Sequence, residues 1–117
     1  ADGVYVYCSF SSFQLPAGLE PLCTFRETEG LTAILGKDEA DAAALPYAFP
    51  CRLITLTVHS SLDAVGFLAR ITDRLAQAGI ACNAVAAFHH DHLFVPEARA
   101  EEALQILREL ASERPDA

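Results

Sequence analysis

The chain has 117 residues, enough for one compact domain or for two very small intertwined ones. Apolar residues make up 52% and charged residues 21%, with no low-complexity stretch, so folding is expected along the whole length. Sixteen acidic against eight scattered basic residues give a formal charge of −8, which repels phosphate backbones and anionic lipid and excludes nucleic acid and membrane as expected partners.

In chain order, VYVYCSF (4–10) reads as a strand. SSFQLPAGLEP reads as a loop or a distorted helix weakened by Pro16 and Gly18. PLCTFRE (21–27) and LTAIL (31–35) read as paired strands around a turn at Thr28 to Gly30, followed by a short helix, DEADAAAL (38–45). Pro46 and Pro50 flank the connection to CRLITLTVH (51–59), an alternating, β-branched strand with one face in a core.

SSLDAVGFLARITDRLAQAG then opens on hydroxyls suited to an N-cap, with Ser60 and Asp63 at capping-box spacing. Val65, Leu68, Ile71, Thr72 and Leu75 fall on one helical face, and Gly79 sits where a C′ glycine ends a helix. IACNAVAAF (80–88) reads as a strand, HHDH as its turn and LFV (93–95) as the antiparallel return. Pro96 opens a last helix with acidic residues early and a stripe of Ala100, Ala103, Leu104, Leu107, Leu110 and Ala111.

Strand–helix–strand–strand–helix thus occurs twice, over residues 1–50 with its first helix eroded and over 51–117. The repeat points to an α+β, ferredoxin-like βαββαβ sandwich of two intertwined units, with an antiparallel sheet and helices on one face. Because the second unit runs out of chain before a final strand, strand 51–59 or strand 4–10 is expected to serve across the halves.

Cys8, Cys23, Cys51 and Cys82 are 15, 28 and 31 residues apart, without a CxxC pair, which argues against a zinc knuckle and for reduced, mostly buried thiols. No apolar run reaches the roughly 20 residues of a membrane span, and the first residues lack a signal-peptide pattern, so a cytoplasmic location is expected. His89, His90, Asp91 and His92 stand together, with His59 the one other histidine. Strand alternation lets at most His90 and His92 share a face, too few for a metal centre, so no metal and no cofactor is expected and a hairpin turn with exposed imidazoles is. No spacing links a nucleophile to a base, and no catalysis is expected.

ITLTVHSSLDAVGFLARITDRLAQAGIACNAVAAFHHDHLFVP resembles an ACT domain, the small regulatory module that binds amino acids. The resemblance lies in a strand ending at a polar loop, Gly66 in the first helical turn, LAQAGI closing the helix and a strand containing Asn83. FRETEGLTAIL, VHSSLDAVGF and HHDHLFVP together resemble small stand-alone bacterial proteins built from two ACT-like units. This implies a non-catalytic sensor for a small amino acid, paired as a homodimer, whose ligand loop is His59, Ser60, Ser61, Leu62, Asp63, Ala64, Val65 and Gly66.

Elementary chemistry favours the same loop. A helix N-terminus offers free N–H groups to a carboxylate, Gly66 lets backbone approach, and Asp63 is suited to pair with an ammonium group. Ser60 and Asp63 equally suit plain capping, Gly66 close helix packing, and Asn83 an edge-strand hydrogen bond. His92 falls where related units present a polar side chain to the ligand loop, which implies a contact titrating at about pH 6–7. A ligand-free structural or protein-interaction module is the competing expectation.

Overall fold

The computed structural model describes residues 3–57 and 65–113, which divide into two compact units, Asp2–Cys51 and Arg52–Ala117. Among the described residues no helix is long and apolar enough to cross a membrane.

The first unit contains strands β1 (Val4–Phe10), β2 (Cys23–Glu27) and β3 (Gly30–Gly36), helix α1 (Lys37–Ala42) and the start of β4 (Ala48–Thr55). Its strand order is β2-β3-β1-β4, the fourth-first-third-second arrangement of a ferredoxin-like sheet, and β1 and β2 both pair antiparallel with β3. Val6 lies opposite Leu35 and Cys8 opposite Ala33, so alternation collects these four on one face, where Ala40 of α1 packs. Residues 11–22 hold no helix, and Leu15 and Leu19 from this irregular stretch cover the core in its stead.

Two boundaries here differ from expectation. Helix α1 stops at Ala42 because Ala44 turns left-handed (φ 55°) and the Leu45 N–H reaches back to the Ala40 carbonyl at 3.0 Å. Strand β4 starts three residues early and ends at Thr55 rather than 59. It passes through Pro50 with Phe49 held at φ 60°, and the Phe49 ring meets Tyr7 edge-on at 5.8 Å. Residues 58 and 59 of the expected strand lie outside the described residues.

The rest of β4 belongs to the second unit, together with α2 (Phe67–Gln77), β5 (Asn83–Ala86), β6 (Asp91–Pro96) and α3 (Ala100–Ser112), in the strand order β4-β6-β5. Ile54, Leu93 and Val95 of the sheet meet Ile71 and Leu75 of α2, Ala103 of α3 and Ile80, so the helices cover one face. Leu75, Leu93 and Val95 are fully buried, each contributing roughly 1.5–3 kcal/mol relative to exposure. Arg74 ties α2 to the end of α3 with two hydrogen bonds to Glu113, at 2.9 and 2.6 Å. Arg99 donates to the Ala78 carbonyl at 3.1 Å, filling an acceptor that the end of α2 leaves open.

Gly79 does end α2, at φ 74°, with its N–H on Ala76 O at 2.9 Å and that of Ile80 on Leu75 O at 3.0 Å. Ile80 is therefore core of the loop and not the first residue of a strand, and β5 is only four residues long. In α3, Ala103 is buried and Leu104, Leu107 and Leu110 half-buried as expected, whereas Ala111 is exposed and Ile106 takes a place in the core. The four cysteines are free, with Cys8 and Cys51 buried and Cys23 and Cys82 half-buried.

Candidate functional site

Helix α2 begins at Phe67, later than the hydroxyls at Ser60 and Ser61 suggested. Gly66 is therefore not inside a helix but is its N-cap, in the left-handed region at φ 85°, ψ −10°. A Cβ on Gly66 would meet only Arg70 Nη1, at an ordinary 3.7 Å. Backbone conformation, not crowding, is what calls for glycine there. The Gly66 carbonyl accepts the Arg70 N–H at 3.1 Å. Among the described residues no side chain caps this end and no acid lies in the first turn, so its N–H groups and the positive end of the helix dipole are left unopposed.

His59, Ser60, Ser61, Leu62, Asp63 and Ala64 lie outside the described residues, and the capping-box expectation for Ser60 and Asp63 falls there too. Val65, expected on the buried helical face, precedes the helix and is 95% exposed.

The hairpin β5–β6 places the remaining candidates. Its register sets Asn83 opposite Phe94, Val85 opposite His92 and Ala86 opposite Asp91. Asn83 is exposed at the start of β5. Leu93 and Val95 point to α2 and α3, so His92 and Phe94 point to the sheet's other face. There His92 Nδ1 lies 3.0 Å from Thr55 Oγ1 of β4.

The turn is tighter than the HHDH stretch. It closes by a hydrogen bond from the Ala87 N–H to the His90 carbonyl at 3.0 Å, and Asp91 and His92 already belong to β6. Only His89 of the three imidazoles there is exposed; His90 and His92 are half-buried, 6.5 Å apart by ring centroid. Among the described residues the buried Nδ1 of His90 has no hydrogen-bond partner, and no group of three or more His, Cys, Asp or Glu side chains is arranged to hold a metal ion.

Asp91 was legible only as part of the turn, yet it is 8% exposed, the one charged side chain buried among the described residues. Its carbonyl accepts the Leu56 N–H at 2.9 Å, which pins it beside the end of β4. Period-two alternation puts its carboxylate on the face of Leu93 and Val95, under the helices. A charge so placed is the signal that periodicity could have found, had β6 been started two residues earlier.

Two family models described as ACT domain match the chain, one over residues 1–52 and the other over 48–109. A crystal structure of a protein of unknown function from Vibrio cholerae, described as a possible transport protein, is 44% identical with a TM-score of 0.86, covering 95% of this chain and 86% of that one. A protein from Agrobacterium tumefaciens, 21% identical, has a TM-score of 0.73 over 92% of this chain and 82% of its own. The aspartokinase alpha and beta subunits, 12% identical, have a TM-score of 0.58 over 92% and 91%, a likeness of fold. No curated protein matches the chain.

Proposed function

The chain belongs to the ACT domain family, and from that premise we propose that it is a non-catalytic, cytoplasmic sensor that binds a small amino acid as a homodimer. ACT domains are regulatory modules that typically bind small molecules. Its two units, 1–50 and 51–117, are each ACT-like, and the ligand is held by the loop His59 to Gly66, with Asn83 and His92 contributing from the hairpin. One observation carries this reading: α2 starts on a left-handed Gly66 with, among the described residues, neither a capping side chain nor an acid in its first turn. Such an end offers several N–H donors and a favourable potential to a carboxylate group.

A thermal-shift screen against the twenty amino acids tests it. Saturating a site at a hundred times its dissociation constant stabilises a fold by about 2.7 kcal/mol, so one or two amino acids are expected to raise the melting temperature by several degrees. A flat response to all twenty at millimolar concentration overturns it.

Exposed apolar side chains favour a second reading, a protein-interaction module without ligand. On the edge strand β2, Phe25 is 69% exposed, and Arg26 lies 4.6 Å over the ring of Phe13, itself half out of the surface. This reading expects the oligomeric state in solution to ignore every amino acid.

A further inference from the structure

We propose that the free edge of β2 is a docking strand for an extended segment of a partner protein, apolar in its middle and carrying lysine or arginine at its ends. The proposal extends the protein-interaction reading above, and it holds whether or not an amino acid binds elsewhere on the chain. β2 is the outermost strand of the sheet, paired with β3 on one side and open on the other. An open edge offers a row of backbone donors and acceptors to any extended chain. Here the middle of the five-residue strand is Phe25, whose side chain is 69% exposed.

Five large apolar side chains are exposed among the described residues, and three of them, Phe13, Leu22 and Phe25, lie on or against this strand. The Leu22 N–H donates to the Ile34 carbonyl of β3 at 2.8 Å, which holds Leu22 at the start of β2. Register divides the aromatic rings between the two faces. Thr24 lies opposite Ala33, which packs with Ala40 of α1, so Thr24 and Arg26 belong to the helix-covered face, where Arg26 sits over the Phe13 ring. Phe25 lies opposite Thr32 and points the other way. A strand added to this edge therefore meets a ring on each of its faces.

Charge selects the partner. Residues 20–30 hold three glutamates, Glu20, Glu27 and Glu29, against one cation, Arg26. Among the described residues none of the three forms an ion pair, and Arg26 stacks on Phe13 instead of meeting a carboxylate. The Thr32 hydroxyl donates to Glu27 and holds that carboxylate on the face of Phe25. Glu20 precedes the strand, Glu27 ends it and Glu29 lies in the turn that follows, so negative charge flanks an apolar middle. A second copy would bring the same excess of negative charge to the edge, in a chain already at −8. A segment with cations at its ends complements it.

Three capped peptides test the assignment by fluorescence anisotropy against the full chain: KVTVTVK, its acidic counterpart EVTVTVE, and KVTPTVK, whose central proline breaks a strand ladder. KVTVTVK is expected to bind, more weakly as salt is raised, with the other two at least tenfold weaker. Phe25→Thr keeps strand propensity and removes the ring, and it is expected to lose at least tenfold in affinity for KVTVTVK with an unchanged circular dichroism spectrum. Phe88→Thr, at an exposed phenylalanine of the other unit, is expected to bind as the wild type does. Equal binding of the lysine and glutamate peptides, equal binding by wild type and Phe25→Thr, or no binding of any peptide overturns the assignment. Sedimentation separates that failure from the failure of the protein-interaction reading. A wild-type dimer that Phe25→Thr dissociates shows that a second copy covers the edge, which overturns the partner named here and leaves the interaction reading standing.

Discussion

Replacing Gly30 with alanine is expected to cost the first unit about 3–5 kcal/mol of stability, the sum of left-handed backbone strain and forced overpacking. Gly30 begins β3 at φ 146°, just after the two residues that join it to β2. A Cβ built there lands on the carbonyl oxygen of Phe10, and stands 3.1 Å from the carbonyl carbon and 3.2 Å from Ser11 Cα. These are backbone atoms at the end of β1, where Phe10 pairs with Leu31. They cannot swing aside as a side chain would, so relief comes only by pulling β3 off β1, the pairing on which Val6, Cys8, Ala33 and Leu35 depend for burial. Circular dichroism during urea titration checks this, with the midpoint expected well below that of the wild type. A midpoint within experimental error of the wild type would show that the turn adapts and that the crowding is not real.

Leu75→Ala is expected to destabilise the second unit by about 2–5 kcal/mol, through lost transfer energy and the cavity left behind. Leu75 is fully buried among Ile54, Ile71, Leu93, Val95 and Ala103, where the two helices and the sheet converge. Its carbonyl also accepts the Ile80 N–H that closes the loop after Gly79, so the residue joins the helix core to its termination. For a chain of this size the melting temperature should fall by about 8–20 °C, since each kcal/mol moves it by about 4 °C. Ala76→Ser, one residue on and exposed, serves as the control and should shift it little. Equal shifts for the two variants would contradict the assigned face of α2.

Much of the fold was legible because each strand and helix must bury at least one face. The apolar strand runs of VYVYCSF and LTAIL and the 3.6-residue stripe of α3 follow from that constraint, and the glycine at position 79 marks the end of α2. The eroded first helix was legible from Pro16 and Gly18, and the family resemblance from the second half reached the right sandwich. What misled were local signals that tertiary context overrides. Two serines and an aspartate at capping spacing suggested a helix start near 60, whereas a left-handed glycine sets it at Phe67. Pro50 suggested a boundary, yet β4 runs through it because Phe49 supplies an unusual backbone angle.

The site was less legible for a reason of chemistry. Four polar residues in a row look like a solvated turn, and nothing in their order reveals which one the sheet draws inside. Register decides it: the turn closes at His90, so Asp91 becomes the first strand residue and inherits the inward direction of Leu93 and Val95. His92 inherits the outward one and meets Thr55. A shift of one residue would have exchanged their fates.

The thiol of Cys51 makes the first unit report on its own opening. It is wholly buried in β4, donates to the Tyr5 carbonyl of β1 at 3.3 Å, and burial pushes its pKa up to about 11. At neutral pH it is doubly silent toward an alkylating reagent, since access and thiolate are both withheld until β4 leaves β1. Its labelling rate, divided by that of the unfolded chain, is then the equilibrium fraction of time these strands spend apart, read without a probe being introduced. The chain thus carries a clock for its own breathing, set within the strand that both units share.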